Sequence, residues 1–227
     1  MGPIENMQEP QESNLSLLAS AHLIGVELSA DQASCLERYC SLLWEWNEKI
    51  NLTRHTTFEL FAKRDLLDSV KLAAQLAPNE EILDIGTGGG VPGLVLAILR
   101  PDLRVSVCES VGKKAKVVQD IVDRMNLPIA VFPHRAQVVL EDMRFHSLVT
   151  RATGSVAQLL NWLADYWTQF DRLLAIKGPR WVEERGEARH RGLLSGVDLR
   201  CLESYNMPDT ESESVILSFC KRTARKP

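Results

Sequence analysis

The chain has 227 residues, 45% hydrophobic and 25% charged, which suits one globular domain or one domain with a small appendage. No apolar run reaches the roughly 18 residues of a membrane span, and the N-terminus lacks a secretory signal, so we expect no membrane association. The formal charge of −4 does not indicate nucleic-acid binding, although only local clusters of Lys and Arg matter to a phosphate backbone. The five cysteines form no C-x-x-C pair, which argues against a zinc site and is typical of reduced thiols in a cytoplasmic protein.

The first third of the chain carries helical signals and no strand signal. Residues 1–14 are polar and are predicted to form a flexible tail. Residues 15–78 are predicted to form an N-terminal helical appendage. Within it, Ser29 followed by Gln32 is a capping-box signature, and apolar residues then recur at helical spacing. They are Leu36, Tyr39, Leu43, Trp46 and Ile50. A second helix is predicted over 57–76.

The remainder, residues 79–227, alternates between short apolar runs and helical patterns. Strands are predicted over 82–85, 104–109, 129–132, 145–150 and 172–176, and helices over 92–100, 113–125 and 156–167. This alternation is typical of an α/β fold with a mostly parallel sheet covered on both faces. Two further runs, 199–205 and 215–220, flank Pro208 and are predicted to pair antiparallel at the edge of the sheet.

The first strand runs into a glycine-rich loop. Asp84 precedes Gly86, Gly88 and Gly90, an acid followed by G-x-G-x-G, and Glu109 ends the second strand. Glycines let the backbone turn sharply and approach a ligand closely. An acid at the tip of the first strand can attract the cationic sulfonium and ammonium groups of S-adenosylmethionine, and a carboxylate after the second can accept both ribose hydroxyls. The pattern therefore favours an S-adenosylmethionine site.

Other interpretations of this loop stay open. Three glycines within 88–93 also match the G-x-G-x-x-G spacing of dinucleotide-binding proteins, although Pro92 lies inside the match and crowds the turn. Glu109 fits either cofactor and does not discriminate between them. Asp84 could instead be a turn acid, and Glu109 an ordinary carboxylate at a strand end.

Motifs spread along the chain resemble those of one bacterial family. The loop reads D-I-G-T-G-G-G-V-P-G over 84–93, and the W-N and N-L-T segments of the family are matched over 46–53. Further matches are Leu-Leu-Asp-Ser over 66–69, Arg-Ala over 135–136, Thr-Arg-Ala over 150–152 and Ala-Ile-Lys-Gly-Pro over 175–179. Taken in this order, they resemble the bacterial 16S ribosomal RNA (guanine-N7) methyltransferases, also called methyltransferase G or glucose-inhibited division protein B.

The resemblance implies a class I S-adenosylmethionine-dependent methyltransferase fold, Rossmann-like, with a mostly parallel seven-stranded sheet and an N-terminal helical appendage. It implies methylation of N7 of a single guanine, guanine 527, in the 16S rRNA of the small ribosomal subunit. We expect a cytoplasmic monomer without a metal. Cofactor contacts carried over from the family fall on Gly86, Val91, Ala136, Gln137 and Arg151.

The chain departs from the family pattern in two places. His134-Arg135-Ala136-Gln137 stands where the family has Gly-Arg-Ala-Glu, so an amide replaces an acid at Gln137. An amide also accepts hydrogen bonds, so a contact to the cofactor is compatible with the change. Asp65 stands where the family has His.

Guanine N7 carries a lone pair and no proton, so methyl transfer to it needs positioning and no general base. Arg135, Arg151 and Lys177 lie at or just after strand ends, where a parallel sheet places its ligand crevice. We assign Arg151 and Lys177 to positioning at the catalytic site: Arg151 would orient the cofactor or the guanine, and Lys177 would grip an RNA phosphate. Arg135 and Arg180 are further candidates for RNA contact. The alternative is that Arg151 and Lys177 form structural ion pairs with Asp84 or another acid.

Basic clusters lie at 113–116, 180–191 and 221–226, the second diluted by Glu183, Glu184 and Glu187. Such clusters suit a phosphate backbone, although solvated helix faces look similar. Other functions compatible with the sequence are a class I methyltransferase that acts on another RNA, a protein or a small molecule, a non-catalytic RNA-binding assembly factor, and a dehydrogenase.

Overall fold

The computed structural model describes residues 15–222, which form a seven-stranded sheet between two layers of helices. The strands are β1 Glu81–Ile85, β2 Arg104–Cys108, β3 Ala130–Phe132, β4 Phe145–Arg151, β5 Phe170–Lys177, β6 Val197–Asn206 and β7 Glu213–Lys221. Their order across the sheet is β3-β2-β1-β4-β5-β7-β6, and β7 is antiparallel to both of its neighbours. The predicted mostly parallel sheet and its antiparallel edge pair are confirmed.

In the described part of the chain, four α-helices precede the sheet and five are interleaved with its strands. The first four are α1 Leu17–Leu23, α2 Ala30–Asn47, α3 Phe58–Phe61 and α4 Leu67–Ala73, with a π-helical turn, Ala62–Leu66, between α3 and α4. The others are α5 Gly93–Leu99, α6 Gly112–Met125, α7 Ala136–Asp142, α8 Val156–Trp162 and α9 Trp181–His190, and a 3₁₀ turn, Ala164–Tyr166, follows α8. The single helix predicted over 57–76 is therefore three consecutive segments. Among the described residues, no helix combines the length and apolar character needed to cross a membrane.

Local chemistry sets several of these helix ends. At the start of α2, the Ser29 hydroxyl accepts from the Gln32 amide, and the Gln32 side chain accepts from the Ser29 amide, so the predicted capping box is present. Ser155 and Gln158 form the same pair of bonds at the start of α8. Asn126 caps the C-terminal end of α6 in the left-handed region, with φ of 53°. Asparagine adopts this conformation more readily than most residues.

The sheet separates two hydrophobic cores. Side chains alternate across each strand, so Ile82 and Val149 face the core built with α1 to α6, while Leu83 and Leu148 face the core built with α7 to α9. The helices of the appendage, residues 15–78, share the first core with the strands. They complete one helical layer of the sheet and do not bury a core of their own. The predicted tail, residues 1–14, lies outside the described residues.

Candidate active site

The glycine-rich loop turns sharply at the carboxyl end of β1. The amides of Gly86 and Thr87 both donate to the Cys108 carbonyl at the end of β2, at 2.9 and 3.1 Å. Gly86 has φ of 71°, and a Cβ at this position would lie 2.8 Å from the Thr153 hydroxyl oxygen. Only glycine fits this position without strain and a clash, so the loop can lie directly against the segment that follows β4.

Asp84 lies between the loop and the start of α5, fully buried. Its Oδ2 accepts from the Thr87 hydroxyl at 2.6 Å and from the Gly93 amide at 2.9 Å. Its Oδ1 has no hydrogen-bond partner among the described residues. Burial raises the pKa of Asp84 to about 6, although the bonds from Thr87 and Gly93 act in the opposite direction. The carboxylate therefore shapes the loop through Oδ2, while Oδ1 stays buried.

Glu109 follows β2 and joins the loop from the other side. One carboxylate oxygen accepts from the Gly88 amide at 3.0 Å and the other from the Val111 amide at 2.8 Å. A carboxylate has about four lone-pair positions, so two remain for a ligand. The two backbone bonds fix the direction in which those positions point.

The N-terminal appendage packs against the glycine-rich loop at Gly89. The hydroxyl of Tyr39 on α2, a fully buried side chain, donates to the Gly89 carbonyl at 2.9 Å. Leu43, one turn further along α2, and Leu52 lie against the same glycine. Asn47 holds the segment after α2 because its side-chain oxygen accepts from the amides of residues 52 and 53, at 2.8 and 2.9 Å. The W-N and N-L-T motifs thus support the loop.

Two cavities flank the loop. The first cavity, of about 280 Å³, is lined by Ile85, Gly86, Cys108, Ser110, His134, Arg135, Ala136, Gln137, Thr153, Trp162 and Leu163. The second cavity, of about 240 Å³, is lined by Leu43, Leu52, Thr53, Asp65, Gly86, Thr87, Gly88, Gly89, Val91, Glu109, Lys114, Arg151, Ala152 and Thr153. The two share Gly86 and Thr153, so they adjoin where the loop meets the end of β4.

Arg151, the last residue of β4, is held by two acids of the appendage. Its guanidinium is 2.6 Å from Asp65 Oδ1 and 3.2 Å from Asp68 Oδ2. Burial disfavours the charged form of Arg151, but the two carboxylates outweigh this effect and raise its pKa. The acids are held in turn, since Asp65 Oδ2 lies 2.9 Å from His55 Nδ1 and the Tyr205 hydroxyl donates to Asp68 Oδ1 at 2.7 Å.

A third cavity, more open and of about 460 Å³, lies on the other side of Arg151. It is lined by Asp68, Arg151, Ala152, Gly154, Ser155, Gln158, Ile176, Lys177, Gly178, Arg180, Glu184 and Ser214. Lys177 is only 7% exposed, and its ammonium group donates to the Gly154 carbonyl and forms an ion pair with Glu184 at 2.9 Å. Arg180 is exposed, and no ion pair involving it is found within residues 15–222.

The predicted site residues fall into three groups. The first two cavities are lined by Gly86, Gly88, Val91, Glu109, Arg135, Ala136, Gln137 and Arg151, with Arg135 at the first. The third cavity is lined by Arg151, Lys177 and Arg180. Asp84 and Gly90 line none of them. Gly90 instead permits a turn with φ of 107° against Leu94. The anticipated alternative, ion pairing with acids, is present at Arg151 and Lys177, but the acids are Asp65, Asp68 and Glu184 and not Asp84.

Several cavity residues were not predicted. Ser110 directly follows Glu109, so its place in the first cavity could have been expected; Thr153 and Trp162 gave no signal in the sequence. Cys108 also lines the first cavity, and burial raises its pKa to about 12, so it is a neutral thiol and not a nucleophile. Lys114 enters the second cavity from α6, within a cluster that the sequence marked only as basic.

The comparison with known proteins agrees with this geometry. The family model described as rRNA small subunit methyltransferase G matches residues 32–211. The chain belongs to this family. Its members include the ribosomal RNA small subunit methyltransferase G of Rhodopirellula baltica, 50% identical over 189 residues, which are 83% of this chain and 82% of that protein. The Leptothrix cholodnii member is 31% identical over 207 residues, 87% of this chain and 91% of that protein.

Solved structures support the fold of this family member. MtNAS, as a mutant in complex with S-adenosylmethionine, superposes with a TM-score of 0.56 at 14% identity, covering 93% of this chain and 86% of that one. The precorrin-6y C5,15-methyltransferase of Geobacter metallireducens gives a TM-score of 0.50 at 14% identity, covering 76% and 91%. Identities this low inform on the fold alone, and the expected class I methyltransferase fold is confirmed.

Proposed function

We propose that this protein transfers the methyl group of S-adenosylmethionine to N7 of a single guanine, guanine 527, in the 16S rRNA of the small ribosomal subunit. The observation that carries the proposal is the family match over residues 32–211, whose relatives are named for methylation of small-subunit ribosomal RNA. The choice of N7 and of this guanine rests on the motifs around the loop. The proposal includes a cytoplasmic location and a monomeric state.

The residues around the loop fit S-adenosylmethionine. The first cavity combines apolar walls with the side chains of Ser110 and Gln137, which suits an adenine ring, and it adjoins the second at Gly86. Glu109 retains lone pairs for ribose hydroxyls, and a Cβ at Gly88 would meet nothing, so the loop faces open space there. Bound in these cavities, the cofactor would supply a methyl group activated by its positively charged sulfur.

The charges beside the second cavity suit a reaction in which a guanine becomes cationic. Two carboxylates, Asp65 and Asp68, surround one guanidinium, Arg151, so the cluster has a formal charge of −1. This negative charge stabilises a developing positive charge on the guanine ring, whereas an unpaired arginine would repel it.

The cations of the third cavity have different roles in this proposal. Lys177 is buried and its charge is neutralised by Glu184, so its role is structural: it holds the Gly154 carbonyl in the segment after Arg151. Arg180 and Arg135 are exposed at the cavity rims and contact RNA phosphates. Arg151 positions the cofactor or the guanine.

The proposal is tested by methyl transfer from labelled S-adenosylmethionine to small subunits, or to naked 16S rRNA, that lack N7-methylguanine, followed by mapping of the labelled base. Label on one guanine N7 supports cofactor, reaction and substrate together. Cofactor binding by calorimetry without any label on the RNA would keep the methyltransferase fold and remove the ribosomal assignment. Sedimentation of the purified protein tests the monomer.

Replacement of Arg151 tests the positioning role. Arg151→Ala leaves two buried carboxylates without their cation, which costs about 3–5 kcal/mol of stability. We therefore pair it with Arg151→Lys, which keeps the charge and loses the two-carboxylate geometry. We expect turnover of the lysine variant to fall by about 10²-fold or more.

Arg144, just before the other end of the same strand, provides the control. It is exposed, and within residues 15–222 its one ion pair is with Asp171, so Arg144→Lys is expected to keep wild-type turnover. Full cofactor affinity and full turnover in Arg151→Lys would show that the arginine has no positioning role.

A further inference from the structure

The charged residues of α9 are sorted onto different faces of the helix. At 3.6 residues per turn, Arg185 and Arg189 lie one turn apart on one flank, while Glu183 and Glu187 lie on another. Glu184 points inward and pairs with Lys177. Glu183 and Glu187 therefore lie on a different flank from Arg185 and Arg189, and Glu187 pairs instead with Arg191 at 3.3 Å.

The arginine flank of α9 borders a groove. The groove, of about 400 Å³, is lined by Arg185, Arg189, Gly192, Leu194, Ser195, Val197, Asp198, Leu199 and Arg222. Arg222 pairs with Asp198 at 3.0 Å. Within residues 15–222, neither Arg185 nor Arg189 forms an ion pair, and the Arg185 guanidinium lies over the Trp181 ring at 5.1 Å. Three arginines against one aspartate leave the groove with a formal charge of +2.

The topology places this groove on a path that leads away from the third cavity. β5 ends at Lys177 beside that cavity, and α9 begins four residues later. β7 runs antiparallel to β5, so Arg222, just after β7, lies toward the opposite end of the sheet. The ten residues of α9 span about 15 Å between these two ends of the sheet. The groove arginines, Arg185, Arg189 and Arg222, thus lie along α9 and past its end, toward the end of the sheet opposite the third cavity.

We propose that Arg185, Arg189 and Arg222 form a docking stripe for the phosphate backbone of the RNA that flanks the target guanine. Guanidinium groups match phosphate oxygens bidentately, and the described lining of the groove combines three of them with one acid, Asp198. The chain as a whole has a formal charge of −4, so the stripe does not follow from a basic composition. This inference rests on the proposed function, because it names the surface by which the same substrate is held.

The test is the double variant Arg185→Gln/Arg189→Gln, which removes two positive charges from partly or fully exposed positions. Loss of two phosphate contacts is expected to raise the KM for small subunits about tenfold or more at about 0.1 M salt. The slope of log affinity against log salt should fall by about 1 to 2. The dissociation constant of S-adenosylmethionine should stay at the wild-type value, and Arg185→Lys/Arg189→Lys should restore most of the affinity for RNA.

The control is Arg104→Gln/Arg144→Gln, which removes the same charge from exposed ion pairs outside the stripe. A double variant with wild-type KM and salt slope, or a loss equal to that of the control, would overturn the stripe. If the first pair disturbs folding, Arg189→Gln/Arg222→Gln tests the same groove. If the wild-type chain does not methylate the subunit, the proposed function fails instead, and that outcome is read from the wild type alone.

Discussion

At the residue scale, Asp84 combines a buried position with hydrogen bonds from Thr87 and Gly93. Burial keeps its pKa at about 6, above the usual value for an aspartate. Folded Asp84 therefore retains its proton at a pH where the unfolded chain has released it. Its contribution to stability is then greatest in acid and declines as the pH rises through this window.

This linkage can be measured with Asp84→Asn, which does not titrate. We expect the free energy of unfolding of the wild-type chain, relative to the variant, to fall by up to about 3 kcal/mol between pH 4 and pH 7. Urea denaturation at a series of pH values provides the measurement. Asp102→Asn is the matched control, because the hydrogen bond from Arg100 lowers the pKa of Asp102 to about 2 and its contribution should be constant above about pH 5. A pH-independent difference for Asp84→Asn would contradict the assignment.

At the scale of secondary-structure elements, the edge strand β6 is fastened to α4 of the appendage. The Tyr205 hydroxyl donates to Asp68, and Glu203 accepts from Lys71 at 2.7 Å and from Gln75 at 3.1 Å. Asp68 in turn holds Arg151. The antiparallel edge pair therefore reaches the active site through α4, across a sequence separation of 137 residues between Tyr205 and Asp68.

Tyr205→Phe removes the hydroxyl and keeps the ring. A buried hydrogen bond to a charged group contributes about 1.5–3 kcal/mol, so we expect a loss of that size in urea denaturation. Because Asp68 loses a partner that helps to orient it, turnover should also fall, and by less than in the Arg151 variants. Tyr166→Phe is the control, since the Tyr166 hydroxyl has no hydrogen bond in the part of the chain that the structure describes. Equal effects of the two substitutions would show that the Tyr205 hydroxyl plays no special role.

At the scale of the whole molecule, the appendage and the sheet share one of the two cores. Leu43 on α2 is buried and lies against Gly89 of the loop, while Ile82 and Ile216 contribute to the same core from the sheet. Two regions that share a core in this way are expected to unfold together. We therefore expect the division at residue 78 to be a boundary in the sequence and not a boundary of stability.

Leu43→Ala tests this cooperativity. Truncation of a buried leucine costs about 2–5 kcal/mol, and we expect one transition that shifts equally in tryptophan fluorescence and in far-UV circular dichroism. Leu202→Ala, at a position 40% exposed on β6, should change stability by about 0.5 kcal/mol or less. Two separate transitions, only one of them moved by Leu43→Ala, would show that the appendage folds as an independent unit.

The sequence by itself determined the features that depend on near neighbours. The strand–helix alternation, the capping box at Ser29 and Gln32 and the glycine loop after Asp84 all follow from spacing and turn chemistry within a few residues. The motifs around the loop also sufficed to indicate the family. By contrast, α1, α7 and α9 were not predicted as individual helices, because α1 and α7 are short and α9 is mostly polar and has no clear apolar period.

Only the tertiary structure decided how the charges are paired. Arg151 meets Asp65 and Asp68 from more than 80 residues away, and Glu184 neutralises Lys177, so neither cation is free as its sequence position suggested. The exposure of the Arg185 and Arg189 flank of α9 likewise depends on which side of the helix packs against the sheet. Side-chain partners of this kind are set by the packing of distant elements, and local sequence patterns do not predict that packing.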